Sequence, residues 1–129
     1  MLLKLFDIPR AHNLIGGVWV QADAEIEVID PSTNKPITSI ARGTIADIDA
    51  AVNAAQSALV GEWGAMTALE RGRILIKVGV AVLNHVEDLA KIEAIDVGKP
   101  LTQARADAVA LARYMEFYGG AADKITGET

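Results

Sequence analysis

The spacing of apolar residues changes once along this chain, near Gly43. Before that glycine, residues 25–29 alternate polar and apolar side chains, and this period of two predicts a β-strand. After it, apolar residues recur three and four positions apart, a period of about 3.6 that predicts amphipathic α-helices. We therefore expect an α+β chain whose strands lie within residues 14–41 and whose helices lie within residues 44–126.

The strand region predicts three strands, over residues 14–20, 25–29 and 37–40. Gly16-Gly17 interrupts the first, and we interpret it as a turn or a bulge, because no glycine-rich phosphate-binding motif surrounds it. The turn formers before the third strand include Asn34, which tolerates a left-handed backbone. A small β-hairpin or three-stranded region is expected.

The first two predicted helices share one start signal. Thr44 with Asp47, and Thr67 with Glu70, have the spacing of a capping box, in which two groups at a helix start satisfy each other's backbone N–H. The first helix is expected to end at Gly61 and the second at about residue 85. Their expected apolar faces are Ile45, Ile48, Val52, Ala55 and Leu59 for the first, and Leu75, Val78 and Val82 for the second.

Two further helices are predicted, over residues 86–97 and 101–125. Gly98 and Pro100 separate them, since glycine suits a helix end and proline suits a helix start. In the third, Leu89 and Ile92 are expected to face inward. The fourth has a heptad-like stripe, which we interpret as a core face and not as a coiled coil: Ala104, Ala108, Leu111, Met115, Tyr118, Ala122 and Ile125.

Composition narrows the partners and the compartment. The chain has 12 Lys and Arg against 17 Asp and Glu, and no basic stripe interleaved with aromatics, so no nucleic-acid partner is expected. Neither a signal sequence nor about 18 uninterrupted apolar residues is present, so we expect a cytoplasmic protein with no membrane partner. The mean hydropathy of +0.26 is high for a small chain, which predicts an apolar surface that packs against something outside these residues.

The residues by themselves predict no catalytic site. There is no cysteine, and His12 and His85 lack the spacing of metal ligands, so both are interpreted as surface or helix-end residues. Pairs of acidic residues at 87–88 and at 93 and 96 are typical of a solvated helix face. Lys99 fits either a phosphate-binding role or a simple place at the helix junction.

Several short segments form a pattern in their order and spacing. They are LIGGVWV at 14–20, IEVIDPST at 26–33, DIDAAVNAA at 47–55, Trp63, ERGRIL at 70–75, IEAIDVGKPL at 92–101, and FYGGAADKI at 117–125 with Gly127-Glu128. Together they resemble the N-terminal part of the aldehyde dehydrogenase superfamily, over about residues 14–128. Val18 and Asp30 depart from the family's usual Glu and Asn, and neither departure disturbs the resemblance.

The resemblance implies a parent enzyme that oxidises an aldehyde to a carboxylate with NAD or NADP. In that chemistry a thiolate adds to the carbonyl, hydride leaves to the nicotinamide, and water activated by Glu hydrolyses the thioester. Family members continue for several hundred residues, and that part holds the catalytic Cys, the general-base Glu and the Gly-rich cofactor turn. We therefore expect residues 1–129 to be a partial segment of the cofactor-binding half, with no catalytic or cofactor-binding residues and no activity alone.

The resemblance also implies a monovalent cation, K⁺ or Na⁺. Its ligands would be the backbone carbonyl of Ile29, with that of Val28, and the carboxylate of Asp96. Another interpretation stays open, in which Asp96 lies in the last turn of a helix, where its charge is unfavourable and needs a partner.

Three states of the chain are compatible with these observations. It is a segment of an aldehyde dehydrogenase that forms a homo-oligomer, a free-standing helical interaction or oligomerisation module derived from that family, or a chain that associates with a separate catalytic half. The alanine-rich stripe and the high hydropathy fit the first two states equally well.

Overall fold

The computed structural model describes residues 9–127. The segment inspected for a signal sequence lies mostly outside these residues, as does Glu128 of the resemblance. The chain divides into two compact units, one reaching to Gly64 and including Ile95–Gly98, the other made of Ala65–Ala94 and the residues from Lys99 onward. None of the helices within residues 9–127 has the length and apolar composition that a bilayer span requires.

The first unit contains four strands where the sequence predicted three. β1 (His12–Ile15) pairs antiparallel with β2 (Val18–Gln21), so the single strand predicted over residues 14–20 is wrong. Gly16 and Gly17 have φ angles of +58° and +82°, which reverse the chain in a two-residue turn. Glycine adopts this conformation without steric cost, so the turn interpretation of the pair is confirmed.

The second hairpin joins β3 (Glu25–Asp30) to β4 (Lys35–Ala41). The carboxylate of Asp30 organises its turn, because it accepts hydrogen bonds from the backbone N–H of Ser32 at 2.7 Å and from the hydroxyl of Thr33 at 3.0 Å. Asn34 has a φ angle of +53°, the left-handed conformation that its side-chain type tolerates. The pairing register shifts between Val28 and Ile29.

Capping boxes begin two of the helices, as predicted. In α1 (Ile45–Val60) the backbone N–H of Asp47 donates to the Thr44 hydroxyl at 3.2 Å, and the Thr44 N–H donates to the Asp47 carboxylate at 2.8 Å. The same reciprocal bonds join Thr67 and Glu70 at the start of α3 (Ala68–Asn84). Between them lies a one-turn helix that the sequence did not predict, α2 (Glu62–Ala65).

The last two helices follow the predicted boundaries closely. α4 (Val86–Val97) matches its prediction, and Gly98 ends it with a φ angle of +71°. α5 (Leu101–Ala121) ends four residues before the predicted end. Gly119 and Gly120 weaken the helix there, because glycine is about 1 kcal/mol less favourable than alanine in a helix interior.

α3 and α5 pack closely in the second unit through small residues. A Cβ atom added to Gly72 would lie 2.3 Å from the carbonyl oxygen of Gly119, so neither position has room for a side chain. The stripe predicted for α5 is partly wrong, since Leu111 and Tyr118 are exposed. The two helices contact each other along their smallest residues, because these allow the closest approach of two helices. The buried residues of the two helices are Gly72, Gly79, Ala104, Ala108, Ala112 and Gly119.

Candidate functional site

The two residues expected to bind a cation lie in the first unit. Ile29 is near the end of β3, at the register shift, and is opposite Pro36 in β4. Proline has no backbone N–H, so Pro36 cannot donate a hydrogen bond to the ladder at this point. The carbonyls at this end of β3 therefore receive no hydrogen bond from Pro36.

The end of α4, which carries Asp96, approaches the turn that follows β3. A Cβ atom added to Gly98 would lie 3.1 Å from Cγ of Pro31, so the residues that end α4 lie against the turn that follows Ile29. Asp96 is exposed in the last turn of α4, and that turn contains no basic residue. The structure thus brings the two predicted segments together, at Pro31 and Gly98.

The electrostatics of this region are negative. The carboxylate of Asp96 lies at the helix end where the backbone carbonyls carry the negative pole of the helix dipole. The backbone N–H of Ser32, together with the bonds from Thr33, holds the pKa of Asp30 below its ordinary value, so this second carboxylate stays ionised. Carboxylate and carbonyl oxygens are the ligands that hard cations prefer, so the residues fit such an ion. Within residues 9–127 no three His, Asp or Glu side chains form a metal-binding group.

Lys99 begins a cluster of ion pairs in the second unit. Its ammonium donates to the carboxylate of Glu93 and, at 2.6 Å, to that of Asp107, which also accepts from the Gln103 amide at 3.1 Å. The bonds to Asp107 and Glu93 raise the pKa of Lys99, and those from Lys99 and Gln103 lower the pKa of Asp107. Two carboxylates therefore occupy this lysine, which favours the helix-junction interpretation over phosphate binding.

Sequence reasoning missed the partners of Lys99. The acidic residues of this helix predict a solvated face for Glu93, but Glu93 pairs with Lys99, six residues later. A glycine with positive φ lies between them, and no helical spacing connects the two residues. Asp107 lies eight residues after Lys99, on the next helix. Only Gln103, one turn before Asp107 on α5, has a spacing that the sequence could have indicated.

A second ion pair joins α4 to α5. The guanidinium of Arg105 donates two hydrogen bonds to the carboxylate of Glu87, at 2.7 and 2.9 Å, the bidentate geometry typical of arginine.

The two histidines were predicted to be surface or helix-end residues. His12 contacts the carbonyl of Arg10, and His85 caps the end of α3, 3.7 Å from Asp88.

The concave surfaces of the second unit are apolar and open. A groove of about 650 Å³ runs along α5, lined by Ala110, Arg113, Tyr114, Glu116, Phe117 and Tyr118. Since all of its wall comes from one helix, it cannot by itself enclose a ligand. A smaller groove of about 280 Å³ lies where α3 and α5 meet, and Ile76, Val80, Leu83 and Val109 contribute its apolar wall.

The apolar face predicted for α1 is exposed. Ile45 and Leu59 are 81% and 68% exposed, and α1 has no buried residue. The β1–β2 turn instead packs on a different side of the helix, because a Cβ atom added to Gly16 would contact Ala54 at 3.5 Å. Over the described residues the buried apolar core contains only alanines, and no large side chain is fully buried.

The comparisons with known proteins match this chain to aldehyde dehydrogenases. The profile described as "Aldehyde dehydrogenase family" matches residues 19–129. The hydroxyisobutyraldehyde dehydrogenase of Mycolicibacterium austroafricanum is 40% identical over 117 residues, which cover 89% of this chain and 23% of that protein.

Solved structures are similar over almost the whole chain. A Burkholderia cenocepacia protein assigned to the aldehyde dehydrogenases is 54% identical, with a TM-score of 0.88, over 92% of this chain and 25% of that one. The betaine aldehyde dehydrogenase of Staphylococcus aureus, in a structure with NAD⁺, is 30% identical with a TM-score of 0.89, over 99% and 26%. The chain thus spans about a quarter of the length of these relatives.

Proposed function

The chain belongs to the aldehyde dehydrogenase family, and we propose that it is the N-terminal segment of an enzyme that oxidises an aldehyde to a carboxylate with NAD or NADP. In the balanced reaction an aldehyde, water and the oxidised nicotinamide give a carboxylate, the reduced nicotinamide and two protons. The observation that carries the proposal is the match to relatives named as aldehyde dehydrogenases along nearly the whole chain.

We propose that these residues are not catalytic by themselves. The reaction that the family carries out needs a thiolate nucleophile, and the chain has no cysteine. The two apolar grooves lack converging polar groups from several elements, which a substrate site usually has. The role of the segment is therefore structural within the parent enzyme, as part of its cofactor-binding half.

The exposed apolar faces support this role. Fully burying one aliphatic side chain contributes about 1.5–3 kcal/mol, and Ile76, Val80 and Leu83 each remain at least a third exposed beside the groove of α3 and α5. A face of this kind gains stability when another layer of structure covers it. We infer that in the parent enzyme the missing layer is the sheet of the cofactor-binding half.

The simplest test is an activity measurement with purified protein. The 129-residue chain, mixed with an aldehyde and NAD or NADP, should form no reduced nicotinamide. A protein extended to the length of the relatives should form it under the same conditions, and should lose activity when the segment is deleted. Reduction of NAD by the short chain alone would contradict the proposal.

A mass measurement separates the segment from the free-standing module. An antibody against these residues should detect, in the denatured extract of the source cell, a species several times heavier than 13.6 kDa. A species of 13.6 kDa would favour the module, or a chain that associates with a separate catalytic half. Co-purification of a cysteine-containing partner would identify that last case.

We also propose a cytoplasmic, homo-oligomeric parent protein. The support for an oligomer is the extent of exposed apolar surface on α1 and α5. Fractionation of the source cell, followed by light scattering on the native protein, tests both points. Recovery of a monomer, or recovery from a membrane or periplasmic fraction, would contradict the corresponding point.

We further propose that a monovalent cation, K⁺ or Na⁺, binds the backbone carbonyl of Ile29, with that of Val28, and the carboxylate of Asp96. The cation would balance the negative charge at the end of α4, and its ligands are the hard oxygens that it prefers. Thermal unfolding measured against KCl or NaCl, at constant ionic strength with choline chloride, should show cation-dependent stabilisation.

One substitution tests the proposed cation site directly. Asp96→Ala should reduce the stabilisation by K⁺ or Na⁺, because it removes the only charged ligand. Asp49→Ala, which removes the same charge from an exposed position on α1, should retain it. Equal stabilisation of the Asp96 variant and of the unsubstituted protein by both salts would show that the site does not exist.

A further inference from the structure

α4 depends on contacts with other elements for its stability. It has 12 residues, and isolated helices shorter than about 12–15 residues are marginally stable in water. Residues 86–94 of this helix belong to the second unit, and we call them the strap. Ala90 is the buried residue of the strap, whereas Leu89 and Ile92 are only half-buried. Because a methyl group gives little apolar surface to bury, packing by itself attaches the strap weakly.

α3 and α5 are attached to each other in a different way. A Cβ atom added to Gly72 would lie 2.3 Å from the carbonyl oxygen of Gly119, and one added to Gly79 would lie 3.0 Å from that of Ala112. Within residues 9–127, α4 has no backbone approach of this extent to another helix or strand. Dissolved salt screens charges and not close packing, so the pair of α3 and α5 is a reference for the strap.

Two groups of ion pairs connect the strap to α5. The guanidinium of Arg105 donates to the carboxylate of Glu87 at 2.7 and 2.9 Å. The ammonium of Lys99 donates to the carboxylate of Glu93 and, at 2.6 Å, to that of Asp107. All five residues lie in the second unit, and we call them together the ionic latch.

The latch lies on both sides of the buried methyl group of the strap. Glu87 is three residues before Ala90, and Glu93 is three residues after it. Residues three positions before and after a helical residue lie on its face of the helix, displaced to opposite sides of it. The two carboxylates therefore flank the buried side of the strap, where ion pairs take the place of larger apolar contacts.

The latch is accessible to water and dissolved ions. The side chains of Lys99, Glu93 and Asp107 are 29%, 34% and 38% exposed. Those of Arg105 and Glu87 are 41% and 57% exposed. Ion pairs with this exposure weaken as ionic strength rises, because mobile ions screen both charges.

We propose that the strap is a salt-sensitive conformational device, which the ionic latch closes onto α5 and which opens locally while α3 and α5 stay packed. Local opening of this kind occurs where few apolar contacts are buried and the other bonds are open to solvent. The inference concerns the chain itself and does not rest on the proposed enzyme activity or on the proposed cation site.

The first test compares two segments of the unsubstituted chain by amide hydrogen exchange. Peptides that cover residues 86–94 and residues 104–112 are followed in about 0.01 M and about 1 M NaCl, between which the Debye length falls from about 30 Å to about 3 Å. The protein concentration is kept below that of self-association. Exchange in the strap should become at least about threefold faster relative to the segment of α5. An equal change in both segments would overturn the inference.

A conservative variant tests the latch itself. Glu87→Gln should make exchange in the strap about two- to fivefold faster at low salt, and should reduce the further increase that salt causes. Glu116→Gln removes the same charge from an exposed position of α5 outside the latch, and should have neither effect. Unchanged exchange in the strap of Glu87→Gln would overturn the inference.

A charge exchange separates the ion pair from the helix dipole, since Glu87 also lies in the first turn of α4. Glu87→Arg alone should open the strap, because it places two guanidinium groups together. Adding Arg105→Glu restores an ion pair of opposite direction and should slow exchange again, although the first turn of α4 keeps its unfavourable charge. Exchange in the double variant as fast as in Glu87→Arg would overturn the inference.

Discussion

At the scale of single residues, glycines determine which surfaces meet in the second unit. Gly119 approaches Gly72 so closely that a Cβ atom on it would lie 2.7 Å from the Gly72 carbonyl oxygen and equally close to Ile76. Its neighbour Gly120 is exposed, and a Cβ atom there would meet nothing within 4 Å. Two adjacent glycines of one helix thus have opposite roles, one structural and one replaceable.

Gly119→Ala should destabilise the chain by about 1–3 kcal/mol, because the added methyl group forces two backbones apart. Gly120→Ala is the matched control and should be neutral or stabilising by up to about 1 kcal/mol, since alanine favours the helix. Urea unfolding followed by circular dichroism measures both. A loss of equal size in the two variants would show that helix propensity, and not close approach, matters at this end of α5.

At the scale of elements, the capping boxes make two helix starts sensitive to pH. The backbone N–H of Thr67, and then its hydroxyl, hold the pKa of Glu70 below its ordinary value of 4.5. The Thr44 groups lower the pKa of Asp47 in the same way. Each carboxylate has a lower pKa in the folded chain than in the unfolded chain. Its ionised form therefore stabilises the folded chain fully at a pH above the unfolded-state pKa, and this stabilisation is lost as pH falls through the folded-state pKa.

Glu70→Gln should therefore make the loss of stability with acid less steep. The variant keeps an oxygen that accepts from Thr67 but has no proton to gain. Its urea unfolding midpoint should therefore fall less between about pH 5 and pH 3 than that of the unsubstituted chain. Urea midpoints across this range measure the difference. Glu116→Gln, an exposed change on α5, is the control, and an equal flattening in both variants would rule out the capping box as the cause.

At the scale of the whole molecule, the chain has apolar surface in excess of what its own core uses. Within residues 9–127 the buried apolar positions are alanines, whereas the large apolar side chains on α1 face solvent. A surface of this kind favours association with another layer of structure, or with a second copy when that layer is absent. The proposed role as a segment of a larger enzyme accounts for this excess.

The isolated chain should self-associate in a concentration-dependent way, and Val52→Asp should reduce the association, because it places a charge in the middle of the exposed face of α1. Asn53→Asp adds the same charge to the adjacent residue, which points to another side of the helix, and should change the association little. Sedimentation velocity at several concentrations measures both. A single monodisperse species with cooperative unfolding would instead favour the free-standing module.

Local signals in the sequence determined most element boundaries. The capping boxes at Thr44 and Thr67, and the break at Gly98, depend on neighbouring residues alone, so they could be predicted and were confirmed. Gly16-Gly17 had two interpretations, a turn or a bulge. The pairing of β1 with β2 was needed to show that it reverses the chain.

The tertiary structure decided what the helix faces contact. Periodicity shows that a helix has an apolar face but not what covers it, so it could not show that the face of α1 stays exposed here. Nor could it show that α5 packs along Ala112 and Gly119 and not along Leu111 and Tyr118. The ion pairs of Lys99 cross a helix junction and have no spacing signal. Sequence thus determined the local structure through short-range hydrogen bonds and backbone preferences, whereas contacts between distant residues depend on how closely the elements can approach.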